Sequence, residues 1–161
     1  NKDETIHISD MPFGEAIQLV STAGNTVAVT VEGKDYLGQK MVEQITLNGA
    51  TAVEGKKAFK LIEKVSTAAN ATADITIETK GVVGLEFCAL GKDNIAKNGV
   101  ADTTMAITVG SRTQSATSAD SRGTLDISSA AAGDVVDVVY NVTDYVADDN
   151  SGLFGVPHYA G

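Results

Sequence analysis

Residues 26–31 read Thr26-Val27-Ala28-Val29-Thr30-Val31, with valine at every second position. That spacing places the three valines on one face of a strand and the small or hydroxylated residues on the other. Directly downstream, Gly33-Lys34-Asp35-Tyr36-Leu37-Gly38-Gln39 supplies turn chemistry. Met41, Ile45 and Leu47 then resume the alternation, broken by Glu43, before Asn48-Gly49, a strong short hairpin signal. Two strands joined by a loop, with another turn behind them, are expected here.

The same period extends in both directions. Residues 58–65 suit a strand through Phe59, Leu61 and Val65 or a helix through Phe59 and Ile62, and the neighbouring strands favour the strand. After a small polar loop at 66–72, Ile75 and Ile77 alternate with Thr76 and Glu78. Lys80-Gly-Val-Val-Gly84 reads as a turn, and Leu85, Phe87 and Ala89 share a face. Residues 91–99 read as a loop with one helical turn, Met105/Ile107/Val109 as a strand, and 111–121 as a long Ser/Thr/Ala-rich loop. Val136, Val138, Tyr140 and Val142 form the last clear strand. The one helix start, Asp10-Met11-Pro12 ahead of 16–20, is outweighed by the strand pattern. Sixteen Gly against two Pro suit many tight turns between short strands. The expected fold is all-β: one domain over 1–161, an antiparallel β-sandwich or jelly roll, with an extended N-terminal arm (1–13) and a C-terminal tail (144–161).

Composition narrows the function classes. With 21 acidic and 12 basic residues the net charge is −9, and such a surface repels a phosphate backbone, so nucleic acid is not expected as a partner. The single Cys, Cys88, precludes an intrachain disulfide and a cysteine zinc cluster, and its apolar neighbours mark it as a small buried hydrophobe. Zero Trp and 5 % aromatic residues leave few stacking platforms for sugars or single strands. No apolar run approaches the roughly 20 residues of a spanning helix, so no membrane partner is expected. The opening Asn1-Lys2-Asp3-Glu4-Thr5 lacks the features of a secretory leader.

No stretch carries a catalytic signature. Gly49-Ala-Thr-Ala-Val-Glu-Gly55-Lys56-Lys57 has five residues between its glycines and a lysine where a phosphate loop needs Ser or Thr, so it reads as a basic turn. The two histidines, His7 and His158, stand near opposite ends, and a relay through either requires the termini to converge on a nucleophile. His158 reads as a tail contact. Asp144-Tyr-Val-Ala-Asp148-Asp149-Asn150-Ser-Gly152 offers oxygen ligands without EF-hand spacing and reads as a solvated loop. Asp134 and Asp137 lack a partner for paired-carboxylate chemistry. The expectation is a non-enzyme without cofactor or metal.

Five stretches resemble the capsid decoration, or cement, proteins of tailed bacteriophages. They are Val29-Thr-Val-Glu-Gly-Lys-Asp-Tyr-Leu-Gly-Gln39, Glu43-Gln-Ile-Thr-Leu-Asn-Gly49, residues 51–60, Asp120-Ser-Arg-Gly-Thr-Leu-Asp126 and Gly152-Leu-Phe-Gly-Val-Pro-His-Tyr159. The resemblance implies a β-sandwich subunit, a homo-oligomer with trimer favoured over dimer. It also implies a place on the virion surface, bridging units of the major capsid protein, after synthesis in the bacterial cytoplasm. An extended arm can dock by strand addition, and an apolar tail behind an acidic loop exposes hydrophobic area. His7, Met11 and Phe13 in the arm, with Leu153, Phe154, Val156 and Tyr159 in the tail, are therefore the candidate interface residues. The competing reading of the tail is a cover for the edge of its own sandwich. Other classes left open are an extracellular β-sandwich adhesin or carbohydrate-binding module, and a phage tail or head-fibre component.

Overall fold

The computed structural model describes residues 6–7, 13–142 and 157–161. Twelve strands follow in chain order among them: β1 (Ile6–His7), β2 (Glu15–Ser21), β3 (Ala28–Lys34), β4 (Lys40–Thr46), β5 (Val53–Phe59), β6 (Leu61–Thr67), β7 (Ile75–Gly84), β8 (Ala89–Lys97), β9 (Val100–Ala101), β10 (Ala106–Val109), β11 (Gly123–Asp126) and β12 (Val136–Val142). They form a four-stranded sheet β1-β6-β3-β4, a five-stranded sheet β10-β11-β7-β2-β5 and a three-stranded sheet β12-β8-β9. Every pairing is antiparallel. The all-β reading holds, and no helix of the described residues is long and apolar enough to cross a membrane.

Period two explains the first core. In β3 the burial alternates strictly, with Val29 and Val31 inaccessible, and β4 answers with Met41 and Ile45. Ile17 and Leu19 of β2, Phe59 of β5 and Ile62 of β6 complete a cluster that spans the four- and five-stranded sheets, as in a β-sandwich. Each such side chain contributes roughly 1.5–3 kcal/mol by leaving water. A second cluster, Leu85, Ala89, Ile95, Met105 and Leu125, is flanked by Val136, Val138 and Tyr140 of β12 and ties the three-stranded sheet to β10 and β11. Cys88 is buried and unpaired, as its apolar neighbours indicate.

Several local expectations are corrected. Residues 91–99 are not a loop with a helical turn: β8 runs to Lys97, and Asn98 (φ 53°) with Gly99 (φ 76°) makes the two-residue hairpin turn into β9. Both turn residues need positive φ, which Asn tolerates and Gly adopts freely. The strand hides from a period-two reading because Leu90 and Asp93 are extra residues in its pairing with β12, so its alternation is reset twice. Residues 80–84 do not turn back either. Glu15 pairs with Val83 and Ile17 with Thr79, so residues 80–82 face Ala16 alone and β7 bends at Gly81 (φ 71°) without ending. Leu85 and Phe87, expected in a strand, lie in the connection between β7 and β8. Residues 16–20 are strand, and residues 58–65 are the end of β5 and the start of β6, meeting at Lys60.

The supposed basic turn at 55–57 is also strand. Ala16 pairs with Ala58 and Gln18 with Glu54, so Gly55, Lys56 and Lys57 stand opposite Ile17 alone. This bulge makes Lys57, Ala58 and Phe59 consecutively buried and takes the Lys56 and Lys57 amides out of the β2 ladder.

Candidate functional site

Those two freed amides need acceptors, since a buried N–H without one costs about as much as a lost hydrogen bond. Glu43 provides them: the Lys56 N–H donates to Oε1 at 2.5 Å and the Lys57 N–H to Oε2 at 3.4 Å. The residue that breaks the apolar alternation of β4 thus occupies a core-facing position because it replaces missing ladder partners. Burial pushes its carboxyl up to about 7, against the opposing pull of the two amides and the Lys57 charge. Lys57, 1 % exposed, donates through Nζ to the Val42 carbonyl at 2.7 Å and to the Ser115 carbonyl at 2.9 Å. Burial lowers its pKa, and the charges of Glu43 and Asp120 oppose that shift. Asp120 ties the loop after β10 to β5: the Ala58 N–H donates to its Oδ2 at 3.0 Å and the Arg122 N–H to its Oδ1 at 2.9 Å.

A second set of charges lies in the turn after β3. Asp35 Oδ1 accepts the N–H groups of Leu37 at 2.9 Å and Gln39 at 2.8 Å, which closes the turn. Its Oδ2 faces Arg122 Nη2 at 2.8 Å and His158 Nε2 at 3.4 Å, and all three side chains are buried. Burial alone would raise the Asp35 carboxyl; the His158 contact, the Arg122 charge and the Gln39 N–H outweigh it and hold the pKa below the ordinary value. The Arg122 guanidinium lies 4.9 Å from the Tyr36 ring centroid, and Phe13 meets that ring edge-on at 5.1 Å. Ser121 Oγ stands 3.3 Å from both nitrogens of His158.

Serine, histidine and aspartate therefore meet, but not as a nucleophilic relay. An oxygen equidistant from both ring nitrogens lies along neither lone pair. Asp35 occupies Nε2, and its charge is matched by Arg122 rather than left to hold an imidazolium. Among the described residues no group of three His, Cys, Asp or Glu could hold a metal ion. The constellation is a latch. It fixes residues 157–161 on the outer edge of β4, where the Val42 N–H donates to the Tyr159 carbonyl at 2.8 Å and Lys57 Nζ lies 5.9 Å from the Tyr159 ring centroid. The 111–121 loop covers the next stretch of that edge through Gln44 N–H to the Ala116 carbonyl at 2.8 Å.

Of the candidate interface residues, Phe13 and Tyr159 come to two rims of this latch and are half-buried there. His7 lies elsewhere, in β1 opposite Leu61 on the other edge of the same sheet. Met11, Leu153, Phe154 and Val156, like the 144–152 acidic stretch, fall outside the described residues. His158 lies in a tail contact, as read from the sequence, and that contact is buried against Asp35 and Ser121. Sequence reading missed Asp35, Glu43, Lys57, Asp120 and Arg122 as one unit; the signal available was Glu43 at an inward position. All five stretches that carry the resemblance contribute to it: Asp35 and Tyr36, then Glu43, then Lys57, then Asp120 to Arg122, then His158 and Tyr159. No family model, curated protein or solved structure matches the chain at a significant level.

Proposed function

We propose that this protein is a structural component of a bacteriophage head that binds the outer surface of the shell and stabilises it by bridging subunits of the major capsid protein. The observation that carries this reading is the convergence of the five resembling stretches on a single buried latch whose groups hold backbone rather than transform a ligand. A bridging protein needs a body that does not yield and terminal segments that engage by backbone hydrogen bonding. In support of this reading, β1 lies on one edge of the four-stranded sheet and residues 157–161 are held along the other by their own bond to β4. Several copies acting together multiply a weak individual contact, which favours a homo-oligomer. Phe13 and Tyr159 would meet the shell with their exposed faces, alongside His7, Met11, Leu153, Phe154 and Val156.

The test uses heads of the encoding phage assembled without this protein. Purified protein should co-sediment with them, saturate at a fixed number of copies per capsomer, and raise the temperature at which the heads rupture. Removing residues 1–12 should weaken that attachment while circular dichroism still reports a folded β protein. Failure to bind heads at any concentration, with binding to a glycan array or to host cells instead, would replace this reading by the extracellular adhesin one.

A further inference from the structure

β12 is the outer strand of the three-stranded sheet, and among the described strands β8 is its only pairing partner. Its sequence, Val-Asp-Val-Val-Tyr-Asn-Val, holds no Lys, Pro or Gly to keep its outer edge, unpaired among the described residues, from pairing. The irregularities of this ladder belong to β8, so β12 itself alternates strictly between half-buried and exposed residues. Val136, Val138 and Tyr140 pack on the second core, while Asp137, Val139 and Asn141 face outward. Val139 is 55 % exposed, with Val135 at 60 % just before the strand and Leu90 at 57 % on β8.

We propose that β12 pairs antiparallel with β12 of a second copy about a two-fold axis through Val139, joining the two three-stranded sheets into one. Residues directly opposite must share a face, so the two-fold has to pass through a residue rather than between residues. Passing through Val139 engages the whole strand. Asp137 then lies opposite the partner's Asn141, an acid against an amide, and Val139 lies opposite its own copy. An axis through Asp137 would set two carboxylates against each other and overlap only three residues, and an axis through Asn141 overlaps no more. Axes through Val138 or Tyr140 overlap five residues and leave Asp137 or Asn141 opposite a valine, so centring on Val139 alone pairs all seven residues and sets the acid against the amide. This inference stands independently of the capsid reading, and of the trimer and dimer that the resemblance implies it selects the dimer over the favoured trimer.

Sedimentation of the full chain from low to high micromolar concentration should show a shift to twice the chain mass. Val139→Lys sets two ammonium groups opposite each other and should weaken association by roughly tenfold or more. It should leave the circular dichroism spectrum unchanged, and Tm unchanged at concentrations where the wild type is a single chain, because position 139 is exposed there. Opposed Cα atoms in an antiparallel pair lie about 4.5–5.5 Å apart, within disulfide reach. Val139→Cys should therefore yield a disulfide-linked dimer on a non-reducing gel, whereas Asp137→Cys alone should not and Asp137→Cys with Asn141→Cys should. The native Cys88 is buried and gives no background. A wild-type chain that stays at single mass or sediments at three times that mass, or cross-linking as efficient from position 137 as from 139, overturns the proposal.

Discussion

Glu43 shows how a single side chain can couple folding to pH. Its carboxyl is held up to about 7 in the folded chain, chiefly by burial, whereas an unfolded chain releases that proton in the ordinary carboxylate range. Between those limits the native state binds more protons than the unfolded one, so this group makes stability fall as pH rises from about 4.5 to about 7. Glu43→Gln, which keeps one amide acceptor, should flatten that slope in denaturant titrations run at successive pH values. An unchanged slope would mean that the proton is taken up elsewhere. Asp35 has the opposite sign: its lowered pKa contributes stability that is present above the ordinary carboxylate value and lost as pH falls below it. Asp35→Ala leaves the buried Arg122 without its counter-charge, and breaking such a pair costs about 3–5 kcal/mol.

Among the elements, β4 depends most on what covers it. Its inner ladder is to β3, while its outer edge takes the Tyr159 carbonyl and the Ala116 carbonyl in place of a strand. Removing residues 157–161 should leave the β spectrum intact and lower Tm, by about 2–4 °C for each kcal/mol lost in a chain of this size. In the truncated chain Asp35→Ala should cost less than in the intact one, because His158 and Asp35 act in one network. Strict additivity in that cycle would remove His158 from the latch. The sequence made β3, β4 and β12 legible because their alternation is unbroken or broken once. It concealed β8 and the run through 80–84, because extra residues reset the period where no turn occurs. Asn98-Gly99 carried the same hairpin signal as Asn48-Gly49; it fills both positions of its two-residue turn, whereas Asn48 is itself paired with Thr51 and the turn lies at residues 49–50.

At the scale of the whole molecule, alternation and composition were sufficient for an all-β chain but could not place its charges. Lys57 reads as a surface base until the bulge at 55–57 turns it inward, and Asp35 reads as a turn residue until Arg122 and His158 arrive from far along the chain. The latch therefore consists of contacts between distant parts of the sequence: 58 residues separate Lys57 from Ser115, 62 separate Ala58 from Asp120, and 37 separate Ser121 from His158. Contacts that close such long loops cost chain entropy before they are rewarded, and late formation of the latch, after the sheets that carry it, is the expected order. Interactions absent from the transition state govern how fast a native chain opens rather than how fast it forms. In stopped-flow experiments Asp35→Ala should accelerate unfolding and leave the refolding limb nearly unmoved; the reverse would place the latch in the folding nucleus. On that expectation, the fastening of residues 157–161 to the β4 edge should set the lifetime of the folded chain rather than the speed of its birth.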